Sequence, residues 1–98
     1  MISEAKRFIK EDKKNFIIWN ILGAAYKILN HQNLAHKAFE KSIEIEPKFP
    51  DPYNNLGIIF YEQGKLSMAL ELFESAIKSM IQILGMFWGR FQHILESK

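Results

Sequence analysis

Residues 19–47 read WNILGAAYKILNHQNLAHKAFEKSIEIEP, and this stretch decides the fold. Its informative positions are Trp19, Leu22, Gly23 and Tyr26, followed by Ala35, Phe39, Ser42 and Pro47. Most of them recur downstream as Tyr53, Leu56, Gly57 and Phe60, then Ala69, Phe73 and Ala76, each at the offset that separates Gly57 from Gly23. Trp19, Leu22, Gly23 and Tyr26 fall at i, i+3, i+4 and i+7, which is one face of an α-helix. Ile18, Ile21, Ala25 and Ile28 make a second apolar face, so this helix is expected to be buried on two sides. Gly23 in a helix interior costs about 1 kcal/mol relative to Ala. Its expected use is close approach, since a partner helix can sit against bare backbone there. Small Ala35 beside bulky Phe39 is the large-with-small arrangement that dense packing requires. Pro47 closes the second helix, because the residue before a proline is steered away from helical geometry.

A period of about 34 residues carrying an aromatic–Leu–Gly–aromatic set and then an Ala–Phe set resembles the tetratricopeptide repeat, a helix–turn–helix unit. Two full units, 16–49 and 50–83, cover about two-thirds of the chain. The resemblance implies an all-α fold, a fragment of an α-solenoid in which stacked units wind into a right-handed superhelix and their first helices line a concave groove. The groove would be lined by Asn20, Ala24, Lys27, Asp51, Asn54, Ile58 and Tyr61. The best-known peptide-binding variety of the family clamps a C-terminal carboxylate with Lys, Asn and Arg. Here Asn20 and Ala24 stand where its first Lys and Asn would be, and Gly85 and Gly89 stand where its third-repeat cations would be. Asn55 matches the second Asn, which is not enough, and the carboxylate clamp is rejected.

Outward from the repeats, residues 1–14 read as an N-terminal helix with a short stripe of Ala5, Phe8 and Ile9. In the repeat register they fall where the second helix of a preceding unit would end, so they form either a half repeat or a cap. Asn15 is an expected N-cap for a helix over 16–30, the polar run 30–33 is a turn, and the next helix covers 34–46. Asp51 as N-cap with Pro52 in the first helical position starts a helix over 52–63, closed by Gly64 and Lys65.

Beyond residue 80 the chain departs from the family pattern. Ile81 takes the place of Pro47, and Arg90 and Phe91 stand where a third Leu–Gly pair would be. Ile81, Leu84, Trp88, Phe91 and Leu95 are spaced 3, 4, 3, 4, a heptad seam of the kind that meets another helix, with Met80, Phe87 and Ile94 beside it. The favoured reading is one long helix over 67–96 whose extension, 84–98, protrudes and self-associates through these eight residues to give a homodimer. Exchange of the C-terminal segment is one route to such a dimer. One rival reading breaks the helix at Gly85 and folds the aromatics back as a cap, making a monomeric fragment of a larger protein. Another lays an amphipathic helix on a membrane surface as a peripheral adaptor, against which stands the scarcity of cations on its polar face. Gly85-x-x-x-Gly89 is a weak close-packing pattern in a chain of this kind.

Composition narrows the remaining classes. The 98 residues carry a net charge of +2 with no basic block, so no nucleic-acid partner is expected. There is no cysteine, which removes disulfides, thiol catalysis and cysteine–zinc sites. The first fifteen residues are too polar for a signal peptide, and no run reaches the roughly 18–20 apolar residues of a membrane span, so the expected location is cytoplasmic. His31, His36 and His93 are expected to be surface histidines and not metal ligands. Glu40, Glu44 and Glu46 are expected to form a solvated face with intrahelical pairs. No nucleophile motif or phosphate loop is present. The expected function is a non-catalytic protein–protein scaffold without cofactor or metal, holding a peptide or helix in its groove.

Overall fold

A computed structural model describes residues 2–97 as five α-helices in the order α1 (Ile2–Glu11), α2 (Phe16–Ile28), α3 (Gln32–Ile45), α4 (Asp51–Glu62) and α5 (Leu66–Glu96). Met1 and Lys98, which fall inside the expected terminal segments, lie outside the described residues. Each helix packs on the next in sequence, and α2 also meets α4. This is the expected all-α repeat stack, with α2–α3 and α4–α5 as the two units.

Local chemistry accounts for the helix ends. Asn15 is extended and its side-chain oxygen accepts from the Ile18 amide at 3.2 Å, capping α2. Asn30 ends the same helix in a left-handed conformation with φ of 61°. The His31 amide donates to the Tyr26 carbonyl and the Asn30 amide to the Lys27 carbonyl, the paired bonds of a Schellman turn. Gly64, with φ of 78°, repeats this turn at the end of α4, with Lys65 bonding to Phe60 and Gly64 to Tyr61.

Several boundaries differ from expectation. The first helix stops at Glu11 and does not continue to 14, because the Asp12 carboxylate takes the Lys14 amide at 3.2 Å and turns the chain. The second stops at Ile28, since Asn30 adopts the left-handed cap, and α3 therefore starts two residues early, at Gln32. The fourth starts at Asp51, not Pro52. Pro50 already has helical backbone angles and is itself the cap, which leaves Asp51 as an acidic first-turn residue.

The core lies between the paired helices. Phe39 is fully buried and its ring occupies the space a side chain at Gly23 would need, with ring carbons 2.5 Å from the position of a Cβ there. Phe73 lies against Gly57 in the same way, at 2.6 Å. Ala5, Leu22, Tyr26, Ala35, Ala38, Leu56 and Ile59 complete the buried cluster, with Trp19 and Ile18 packed on it. Ser42 is buried inside this core and donates to the Phe16 carbonyl at 2.8 Å, tying the end of α3 to the start of α2. Its counterpart in the second unit is Ala76, which has no hydroxyl to make that tie.

The last helix runs unbroken for 31 residues, straight through Gly85 and Gly89. At 1.5 Å per residue that is about 46 Å, comparable with the 53 Å longest dimension of the molecule. The break at Gly85 is not found, and the aromatics do not fold back over the second repeat.

Candidate partner-binding surfaces

The expected groove residues lie on α2 and α4, which are side by side because Leu56 and Ile59 of α4 pack into the core of the first unit. Two polar links cross between them. Asn55 Nδ2 donates to Asn20 Oδ1 at 3.1 Å, and two helical turns further on Lys27 Nζ lies 3.6 Å from Glu62 Oε1. Of the expected groove residues, Asn20, Ala24, Lys27 and Ile58 are half-buried, while Asp51, Asn54 and Tyr61 are exposed. Asn20 and Lys27 are thus already engaged in holding the two repeats together. Asp51 and Asn54 border an open depression completed by Pro50, Asn55, Phe73, Ala76, Ile77 and Met80. The other five groove residues lie outside that depression.

The second surface is the free half of α5. Met80, Ile81, Leu84, Phe87, Trp88, Phe91, Ile94 and Leu95 are each more than half exposed. Trp88 and Phe91 stack on one another, with ring centroids 5.7 Å apart, and no other element covers them among the described residues. The helix is continuous here because every spacing signal is helical and no proline interrupts it. Its first half is anchored by Ala69, Ala76 and Ser79, all buried against α4.

Two family profiles match the chain, one described as TPR repeat over residues 23–64 and one described as Tetratricopeptide repeat over residues 53–93. The chain belongs to the tetratricopeptide repeat family. The crystal structure of MamA is similar, with a TM-score of 0.81 and 24% identity over 86% of this chain and 49% of that one. The present chain therefore spans about half the length of that protein, and the likeness shows the shared fold.

Within this tetratricopeptide frame the remaining polar residues take ordinary surface roles. His36 Nδ1 pairs with Glu40 at 2.9 Å one turn on, and Lys41 pairs with Glu44 at 3.5 Å. Glu46 accepts from the Lys48 amide. Among the described residues no three His, Asp or Glu side chains converge on a point where a metal could sit, and no helix is long and apolar enough to cross a membrane. Tyr53 donates to the Pro47 carbonyl at 2.8 Å. Its pKa is pushed above the ordinary value by burial, with a further push from the Glu46 carboxylate.

Two features were not anticipated. Glu62 pairs with Lys27, and the signal was available, because the bridged positions 20/55 and 27/62 share one offset of 35. A cleft between α1 and α3 has an apolar floor of Trp19, Leu22 and Tyr26 and carries Lys6 and Lys10 on one wall and Lys37 and Lys41 on the other. Each lysine pair is one turn apart on its helix, a spacing that a periodicity scan of charges would show.

Proposed function

We propose that this chain is a non-catalytic protein–protein interaction scaffold that self-associates through α5 and offers its concave face to a peptide or helix. The observation that carries the reading is the exposed apolar face from Met80 to Leu95. Burial of a large apolar side chain is worth roughly 1.5–3 kcal/mol, so a row of eight left in water is a strong drive to association.

The test is absolute mass by light scattering on a sizing column over a hundredfold range of concentration. The expected mass is twice the 11.5 kDa of one chain. Replacing Trp88→Lys and Phe91→Lys together is expected to give monomers with unchanged helix content. A dimer that survives both substitutions removes α5 as the interface. On the concave face, the exposed Asp51, Asn54 and Tyr61 are the groups offered to a ligand. Peptides selected from a random library on the wild-type protein should lose binding to Asn54→Ala/Tyr61→Ala; undiminished binding would place the ligand elsewhere.

A further inference from the structure

The face of the first repeat that α4 covers has a counterpart on the second repeat that nothing covers. In the first unit, α4 lies across α3 with the Phe60 and His36 rings 5.4 Å apart and Gln63 Nε2 donating to Gln32 Oε1 at 3.2 Å. As one residue number rises the other falls, so the two helices are antiparallel. The equivalent face of the second unit is the open depression bordered by Asn54, Phe73, Ile77 and Met80. The stretch that stands one repeat after α4 is 85–96, and it continues α5 as unbroken helix with no turn before it. It cannot return to cover that face in its own chain without breaking the helix.

Along the same helix, apolar residues recur from Leu66 to Ile94 with spacings alternating between 4 and 3. The pattern runs through both the packed half and the free half as one seam, which is the signature of a helix meant to meet another helix along its length. All but Phe73 of these side chains are more than half exposed.

We propose that residues 84–95 of a second copy dock antiparallel on this open face, reciprocally, with the two-fold axis passing near residue 82. The inference rests on the self-association reading above and adds its direction and register. The register follows from the contact already made within the chain. Shifting the observed His36–Phe60 pair by one repeat sets Leu70 of one copy against Ile94 of the other, 58% and 56% exposed as they stand. The same register sets Ile77 against Phe87 and Met80 against Leu84, apolar on apolar, while Arg90 and His93, which stand where α4 has Leu56 and Ile59, fall opposite Glu74 and Glu71. A parallel pair would place free half on free half with no second layer beneath it. The antiparallel pair places each free half on a half of α5 that α4 already supports, so Phe87 and Ile94 gain a packed floor.

The chain has no cysteine, which makes disulfide mapping free of background. Leu70→Cys and Ile94→Cys proteins are prepared singly, mixed in equal amounts under dimer-forming conditions, oxidised and resolved by mass. The antiparallel register predicts that the 70–94 crosslinked pair dominates. Each single variant alone should crosslink weakly, because like positions would lie 24 residues apart along the seam, about 36 Å. Dominant 70–70 and 94–94 products would show parallel pairing and overturn this proposal while leaving self-association standing. A dimer by mass that gives no crosslink at any of these positions overturns it in the same way. A monomer by mass overturns both. Ile77→Cys with Phe87→Cys repeats the test at a second level should either first variant fail to fold.

Discussion

Gly23 and Gly57 occupy the same place in successive repeats, and each is there because a phenylalanine ring fills the space of its missing side chain. Gly23→Ala improves helix propensity by about 1 kcal/mol, but overpacking of a filled core costs about 1–3 kcal/mol. Phe39 is fully buried and has nowhere to shift, so the clash wins and a net loss of up to about 2 kcal/mol is expected by urea unfolding. Gly57→Ala should cost less, since Phe73 is only partly buried and can move outward. Equal losses at the two sites would contradict this account. Tyr53 supplies a pH-dependent contribution. Its folded pKa lies above the ordinary value of 10.0, so its contribution is complete below pH 10.0 and is lost as pH rises through the folded value. Tyr53→Phe is expected to lower stability by about 0.5–1 kcal/mol at neutral pH through loss of the bond to Pro47. The difference between wild type and variant should then shrink above pH 10.0, and parallel stability curves there would exclude Tyr53 as the source.

At the scale of elements, α5 differs from its counterpart α3 by what it lacks. The first unit ends its second helix before Pro47 and ties it down with Ser42, and the second unit has Ile81 and Ala76 at these places. With neither stop nor tie, the helix continues, and its glycines become weak points instead of ends. A Cβ at Gly85 or Gly89 would meet nothing within 4 Å. Gly89→Ala is therefore expected to stabilise α5 by up to about 1 kcal/mol, seen as higher helix content by circular dichroism and slower amide exchange beyond residue 84. Loss of helix on this substitution would mean that Gly89 is packed against another backbone. The turns after α2 and α4 show the opposite case, in which one geometry is reached by two residue types. Asn30 and Gly64 both adopt left-handed backbone, the conformation that ends each helix with a Schellman turn.

For the whole molecule, stability and association are one question. A two-repeat stack with an exposed apolar arm is expected to gain much of its folding free energy from the second copy, so its thermal midpoint should rise with protein concentration. A midpoint unchanged over a hundredfold range would assign the stability to the single chain. The links between repeats are small by comparison. Lys27–Glu62 is a partly exposed pair worth at most about 1 kcal/mol, and the Asn20–Asn55 bond about as much. Apolar packing of Leu56 and Ile59 into the first unit holds the stack in register.

The chain by itself determined the helices, their pairing and the core, because the regular recurrence of Leu–Gly and Ala–Phe sets encodes a contact between neighbours that any such sequence must make. It favoured a long α5 but left a break at Gly85 open, since a glycine in a helical pattern reads equally as a stop; the structure carries the helix through Gly85 to Glu96. The early end of α2 was not legible, because Asn30 is equally at home in a helix and in a left-handed cap, and packing of His31 against Tyr26 settles the choice. Nor was the state of the groove. Only when α2 and α4 are set side by side do Asn20 and Lys27 meet Asn55 and Glu62 and become struts between repeats, leaving Asp51, Asn54 and Tyr61 open to solvent. Local patterns report the face a residue occupies on its own helix; which groups it then meets depends on how far and at what angle a second helix lies, and that is decided by the packing of both.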